Sequence, residues 1–304
     1  MYFDLQVNGY AGVDFNADEL RLDELRAACG ELAEHNVVGI LATVITDDVD
    51  AMSARLANIA AACEQDELVA SVIRGVHIEG PFINPATGYV GAHPKSAVRP
   101  ADVDSMNRLL DAAAGLTRIV TLAPECDPGL QVTGMLARRG VTVSAGHCNP
   151  TAEQLAAAID AGLSMFTHLG NGCPLQLHRH DNIIQRALHF SDKLANGFIA
   201  DGVHVPYVAL RNYLAAAGLE RAFVVTDAIS AAGRGPGVFQ LGEQQVVVDE
   251  HLATWSADRQ NLVGSASTMP AVVDRLRDEL QLSDDAIRQL TYENPQKAIG
   301  LKSN

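Results

Sequence analysis

The sequence predicts an α/β protein folded as a (β/α)8 TIM barrel, and three observations carry that expectation. Eight short, β-branched runs alternate with Ala/Leu-rich amphipathic stretches along the chain. The 304 residues fit one such barrel, which uses about 250. Carboxylates and histidines stand one by one just after the predicted strands, where a barrel gathers its active site.

The first strand is Tyr2–Val7, followed by a helix over Leu22–Glu34 with its apolar residues at helical spacing. The second strand is Val37–Val44, with a helix over Ala51–Ala62. Ser71–Ile78 is the third, and after it residues 80–99 form a Pro/Gly/His-containing loop before the helix Ala101–Ala113. Leu116–Leu122 and Val141–Ala145 are strands four and five. Thr151–Ala161 then reads as a helix, because Pro150 precedes Thr151-Ala-Glu-Gln154 and an apolar face follows it. Leu163–Thr167 and Ala195–Ala200 are strands six and seven. The helix Pro206–Ala217 and an eighth strand, Arg221–Thr226, complete the alternation. Residues 230–262 interrupt it, and read as an insertion with a hairpin, Val238–Leu241 and Gln245–Val248 around a Gly242-Glu243 turn. With no internal repeat or linker in sight, the expectation is a single domain over 1–304 with a hairpin-like insertion at about 230–262.

Composition narrows the function. Against 22 Lys and Arg stand 37 Asp and Glu, a net charge of −15, so a duplex-binding surface is not expected. Hydrophobic residues make up 48%, enough for a large core. Five scattered cysteines without a C-x-x-C argue against a disulfide framework or a structural zinc knuckle. Neither a signal peptide nor a window of ~18 apolar residues is present, so a reduced, cytoplasmic protein away from membranes is expected.

The polar residues at strand ends are the functional signal. Glu79 closes strand three, Glu125 follows strand four, and His147 and His168 follow strands five and six. His204 follows strand seven and Asp227 strand eight. Taken alone, His147 reads either as a ligand or as a buried histidine capping the next helix, and His168 is as open. A carboxylate such as Glu79 at the end of an apolar strand needs a cation. Together, two His and one Glu on neighbouring strand ends match a three-ligand zinc site with an open position for water. Asp227 is then the natural base, its other reading being an N-cap for the next segment. His35 and His251 lie off the strand ends and read as surface residues, and Glu125 as structural support.

These residues carry a family likeness. Asp4-Leu-Gln-Val-Asn-Gly9, His77-Ile-Glu-Gly-Pro-Phe82, Gly91-Ala-His-Pro94, Ala123-Pro-Glu125 and Gly146-His147 come in order. Thr167-His-Leu-Gly-Asn171, Asp201-Gly-Val-His204, Val225-Thr-Asp-Ala228 and Leu262-Val-Gly-Ser265 come after them. The set spans nearly the whole chain and resembles the N-acetylglucosamine-6-phosphate deacetylases of the amidohydrolase superfamily. The resemblance implies a barrel of the metal-dependent hydrolase type. It implies one divalent metal ion per chain, usually zinc (Zn2+), on Glu79, His147 and His168, with Asp227 as catalytic acid/base. Ala92 and His93 match substrate-contacting positions, His93 at the oxyanion, while Asn171, Gly172 and His204 match residues around the sugar and its phosphate. Arg179 falls where the family has an arginine that reaches a phosphate across a homodimer interface. Leu262, Val263 and Gly264 match a backbone segment lining the sugar.

The implied reaction is release of acetate from an N-acetylhexosamine 6-phosphate. Where superfamily members with two metals carry His-x-His, this chain has Gln6 and Asn8, poor zinc ligands, so a mononuclear site is expected. Two segments depart from the family pattern. Leu169-Gly-Asn-Gly-Cys173 replaces a run close to Leu-Phe-Asn-Ala-Met, and His178-Arg-His-Asp-Asn182 replaces His-Arg-Glu-Pro-Gly. Both lie on the substrate side and leave open an alternative, a related amidohydrolase for a different N-acyl or amino substrate. The family's small β-sandwich is expected to be absent, since the chain starts at barrel strand one.

Overall fold

The structure, a computed structural model, describes residues 1–301; the expected domain's last residues, 302–304, lie outside it. At its centre stands an eight-stranded parallel sheet with its strands in sequence order. These are β1 Tyr2–Val7, β2 Val37–Ile45, β3 Ile73–Glu79 and β4 Thr117–Leu122, then β5 Thr142–Ala145, β6 Leu163–Phe166, β7 Ala195–Ile199 and β8 Ala222–Val225. The sheet curls until its ends meet: Val7 bridges Ala228 in parallel, and the Asn8 N–H donates to the Ala228 carbonyl at 2.7 Å. The result is a nearly closed barrel of the TIM type.

A helix follows every strand: α1 Leu22–Glu34, α2 Val49–Gln65, α3 Val103–Ala112, α4 Gln131–Arg138, α5 Ala152–Asp160, α6 Ile183–His189, α7 Tyr207–Ala217 and α8 Met269–Asp278. The capping box of α5 is formed, with Thr151 Oγ1 accepting from the Gln154 N–H and Gln154 Oε1 from the Thr151 N–H. Strand three starts later than its apolar run. Asp66 accepts from the N–H groups of Leu68 and Val69 at 2.9 and 3.1 Å, and so starts a short helix, Glu67–Val72, over the run's first residues. Helices α4 and α6 are not singled out by the sequence pattern, being only 8 and 7 residues long. The pattern also leaves α8 unassigned, although Thr268 caps it through the Ala271 N–H.

Two layers of core hold the barrel. Outside the strands, the helices bury one continuous apolar cluster. Inside, Phe3, Leu5, Leu41, Ile119, Met165, Ile199, Phe223 and Val225 form a plug, backed by Tyr292, Ile299 and Leu301. Each such side chain contributes about 1.5–3 kcal/mol when buried. Towards the C-terminal ends of the strands the interior becomes polar, with Thr43, His77, Glu79, Thr121, Ser144, Thr167 and His168 all buried. Apolar burial fixes one end of the barrel and leaves the other for chemistry.

Among the described residues there are two further sheets. Gly9–Tyr10 pairs with Val13–Asp14 just after β1. After β8 comes a three-stranded antiparallel sheet, β9 Gly237–Leu241, β10 Gln244–Val248 and β11 Thr254–Ser256, one strand more than the sequence pattern shows. Ile45, Ile229, Leu241, Val246, Val248 and Val263 pack it onto the barrel rim. No described helix is long and apolar enough to cross a membrane. All five cysteines are unpaired.

Candidate active site

Glu79 at the end of β3, His147 after β5 and His168 after β6 meet at the barrel rim, all buried. Glu79 Oε1 lies 3.0 Å from His168 Nε2 and 3.3 Å from His147 Nε2, and the two Nε2 atoms are 3.1 Å apart. Four-coordinate zinc at about 2.0–2.1 Å from each ligand sets ligand atoms about 3.4 Å apart, close to this spacing. The tautomer of His147 also fits: Nδ1–H donates to the Tyr89 carbonyl at 2.7 Å, which leaves Nε2 as a lone pair facing Glu79 and His168. An acceptor cluster of this kind fits a divalent cation. Burial pushes the Glu79 carboxyl up, but the imidazoles of His147 and His168 packed against it outweigh that and hold it well below the ordinary carboxylate range.

Asp227 stands beside this cluster at the end of β8. Burial, and then the charge of Glu79, raise its pKa from 3.8 to about 6. Asn8 Nδ2 donates to Asp227 Oδ1 at 2.7 Å, and Gln6 Nε2 to Glu79 Oε2 at 3.1 Å, so the two amides of β1 each hold one carboxylate. Asp4 braces the next residue along: its Oδ2 accepts from the Thr226 hydroxyl at 2.6 Å and its carboxylate from the Thr226 N–H. Three of these residues leave their strands with left-handed backbone, His147 at φ 50°, His168 at 34° and Asp227 at 52°. Such conformations cost of order 1–3 kcal/mol each and collect at functional sites.

His93, on the loop after β3, points into the same space. Its Nδ1 is 2.8 Å from the Thr46 hydroxyl and its Nε2 3.2 Å from His147 Nε2. Burial, and then His147, lower its pKa to about 3, so the ring is neutral. Beneath the site His77, also neutral because burial lowers it to about 4, contacts the Leu5 carbonyl through Nδ1 and the Thr121 hydroxyl through Nε2. The carbonyl only accepts, so Nδ1–H donates and Nε2 accepts from Thr121. Thr121, Thr167 and Ser144 continue the chain at 2.7 and 2.6 Å and tie β3 to β6 into one polar layer.

Above these groups is a cavity of about 330 Å³, which takes one small molecule rather than a polymer. Glu79, His147, His168, Asp227, His93 and Asn8 line its floor. The loops supply the rest of the wall. Asn171, Gly172, His204, Leu241, Trp255, Leu262 and Gly264 are among the residues that line it. No Lys or Arg lines it among the described residues.

No protein-family model matches the chain. It is, however, 32% identical over 301 residues to the N-acetylglucosamine-6-phosphate deacetylase of Bacillus subtilis, an alignment covering 98% of this chain and 74% of that one. The chain belongs to the N-acetylglucosamine-6-phosphate deacetylase family. The N-acetylgalactosamine-6-phosphate deacetylase of Shewanella is as similar, 32% over 298 residues, covering 98% and 73% of the two chains. Among solved structures, a mutant N-acetyl-D-glucosamine-6-phosphate deacetylase from Mycobacterium smegmatis, in complex with N-acetyl-D-glucosamine 6-phosphate, superimposes with a TM-score of 0.87 at 30% identity. That match covers 99% of this chain and 77% of the other.

Within this deacetylase fold the structure brings most of the expected residues together. Ala92, His93, Asn171, Gly172, His204, Leu262 and Gly264 all border the cavity. Gly172 presses on the floor: a Cβ there would lie 3.0 Å from His147 Nδ1, and its φ is +60°. At Gly264 a Cβ would meet Ile229 Cγ2 at 2.4 Å. His204 is set by Asp201, whose Oδ2 is 2.7 Å from its Nδ1. Two residues stand apart: Val263 is buried behind the wall, and Arg179 is exposed, outside the cavity of its own chain. Glu125 accepts from Asn84 Nδ2 at 2.8 Å and from the Asn149 N–H, tying the long loop to the segment after His147. His251 is exposed, whereas His35 is half-buried with Nδ1 2.6 Å from the Tyr10 hydroxyl. Sequence reasoning missed the bonds of Gln6 and Asn8 to the carboxylates, the Tyr89 carbonyl and the Trp255 wall. Only the amides left a signal, their place at the end of strand one.

Proposed function

We propose that this chain is a metal-dependent deacetylase that hydrolyses the N-acetyl amide of an N-acetylhexosamine 6-phosphate, N-acetylglucosamine 6-phosphate first, to the amino sugar phosphate and acetate. The observation that carries the reading is the convergence of Glu79, His147 and His168 beside a buried carboxylate, Asp227, on the floor of a small cavity. No comparison supports the alternative of a different N-acyl or amino substrate.

Glu79, His147 and His168 hold one divalent ion, for which we propose zinc. Bound there it polarises the amide carbonyl and acidifies the attacking water. Asp227, ionised at neutral pH, takes the water's proton and returns it to the departing amine. When the Thr46 hydroxyl turns its one hydrogen from the Glu79 carbonyl, 3.2 Å away, to His93 Nδ1, the Nε2–H of His93 faces the site and stabilises the developing oxyanion. Asn171, Gly172, His204, Ala92, Leu262, Val263 and Gly264 form or back the wall around the sugar. Among the described residues no Lys or Arg lines the cavity, and Arg179 is exposed outside it, which supports a homodimer in which Arg179 completes the phosphate site of the neighbouring subunit. A two-fold pair is the commonest such assembly. The unpaired cysteines agree with a cytoplasmic setting.

The test is acetate release from N-acetylglucosamine 6-phosphate, its C4 epimer N-acetylgalactosamine 6-phosphate and the two unphosphorylated sugars, alongside metal analysis. One tightly held ion per chain and turnover of a phosphorylated sugar are expected. The epimer belongs in the panel because a deacetylase named for it is as similar to the chain as one named for glucosamine. Two stoichiometric ions, or full activity without metal, would count against the site.

A further inference from the structure

The reaction as set out uses Asn8 only to hold Asp227, yet half of its amide is left over. Asn8 is 2% exposed at the end of β1 and lines the cavity. Its Nδ2 donates to Asp227 Oδ1 at 2.7 Å. An ionised carboxylate offers acceptors alone, which settles the orientation of the amide, with NH2 toward Asp227 and Oδ1 away from it. That oxygen is buried and has no hydrogen-bond partner among the described residues. A buried acceptor is expensive to leave unpaired, and on a residue that lines a ligand cavity a donor on the ligand is the group to complete it.

We propose that Asn8 Oδ1 accepts the N–H of the scissile amide, making Asn8 the residue that selects a secondary amide and turns its nitrogen toward Asp227. The inference rests on the deacetylase reading above. At the reacting centre the substrate offers one acceptor, the carbonyl oxygen, and one donor, the amide N–H. The carbonyl belongs to the cation site and His93; the N–H is the group left to match an orphaned acceptor. The geometry also serves the chemistry. The two ends of a single amide group then touch the substrate nitrogen and the carboxylate that must protonate it, so holding one places the other. Gln6, the neighbouring amide, engages Glu79 and is not among the residues bordering the cavity.

A pair of non-hydrolysable inhibitors tests this. Both are built on hexosamine 6-phosphate: one carries a methyl phosphonamidate in place of the acetamide and keeps the N–H, the other a methyl phosphonate ester with oxygen in its place. Inhibition constants are measured on the metal-loaded enzyme. The wild type should bind the N–H member about 10–100-fold more tightly, because the ester sets two acceptor oxygens against each other. Asn8→Leu, of similar volume and without a polar atom, should bring that ratio to within about threefold of one. A wild-type ratio below about threefold, or a ratio unchanged in Asn8→Leu, overturns the proposal and leaves a sugar hydroxyl as the donor. If Asn8→Leu does not fold, Asn8→Ser, too short to reach the N–H, makes the same comparison, and the wild-type ratio needs no variant. Acetate release by the wild type separates the two readings. Without it, the function and the role of Asn8 both fall; with it and a flat inhibitor ratio, only the role of Asn8 falls.

Discussion

The floor and the roof of the cavity are made differently. The floor residues Glu79, His147, His168 and Asp227 come from the ends of four parallel strands and are buried, and Glu79, His147 and Asp227 each have a partner outside the cluster that fixes them. The roof, from residues 88–93, 170–175 and 241–264, is loop and small sheet, much of it half-exposed, with Leu175 fully exposed at its mouth. The floor tolerates three left-handed residues because the hydrogen-bonded strands over-determine their positions. In the proposed reaction, chemistry that depends on fractions of an ångström sits on the rigid half, while recognition of the rest of the substrate is left to the adaptable half. Substitutions in the floor should therefore remove turnover, and those in the roof should change KM.

The largest effect is expected at the cation ligands. His168→Ala opens the cluster and leaves the buried Glu79 facing one imidazole instead of two. Bound metal should be lost and kcat should fall by more than the ~10⁴-fold upper range of a single general base. Metal content by elemental analysis, beside acetate release, checks it. Retention of the ion with only KM altered would show that the floor is not where the metal sits.

Asp227→Asn comes next. The variant is nearly isosteric and should keep its fold and metal, while kcat falls ~10²–10⁴-fold. The sign of the pH dependence comes from burial. A carboxyl raised to about 6 is protonated below that pH and cannot accept a proton, so kcat/KM of the wild type should fall as pH drops through about 6 and level off above it. The same acid limb should be missing from the residual activity of Asp227→Asn. A limb left unchanged would assign it to another group.

The same division governs what could be read from the sequence. Strand ends are punctuated by a change from apolar runs to Glu79, His147, His168 and Asp227, and barrel geometry carries those four to one rim whatever the loops do. The eight strands were legible for the same reason, apart from the start of β3, where the Asp66 cap overrides an apolar run. Apart from the hairpin of β9 and β10, the roof has no period. Nothing in the string shows that Trp255 pairs across to Leu262, that the Tyr89 carbonyl orients His147, or that Arg179 lies outside its own cavity. The bond between Asn8 and Asp227 joins residues 219 apart in sequence, and only closure of the barrel creates it.

Arg179 sharpens the comparison, since it belongs to the roof of a neighbour in our proposal. Charge-assisted hydrogen bonds contribute about 1.5–3 kcal/mol, so Arg179→Ala should raise KM for a phosphorylated sugar roughly 10–150-fold and leave KM for the neutral sugar nearly unchanged. Sedimentation at assay concentration should show a dimer. A fully active monomer would return Arg179, if it acts, to its own chain.

The smallest effect is expected at Trp255, in the small sheet of the roof. It stands on β11, half-buried, with Nε1 donating to Asp249 Oδ2 at 2.9 Å and its side chain forming one wall of the cavity. The three-stranded sheet has its own apolar core in Leu241, Val246 and Val248, so removing an edge-strand indole should leave the sheet in place. What is lost is apolar contact with the bound sugar, worth ~1 kcal/mol for part of a side chain. Trp255→Ala should therefore raise KM about fivefold and leave kcat within about twofold. Thermal unfolding of the variant, followed alongside, shows whether the sheet has stayed folded. A large fall in kcat with the sheet intact would mean that the roof takes part in the chemistry, and the division between the two halves would not hold.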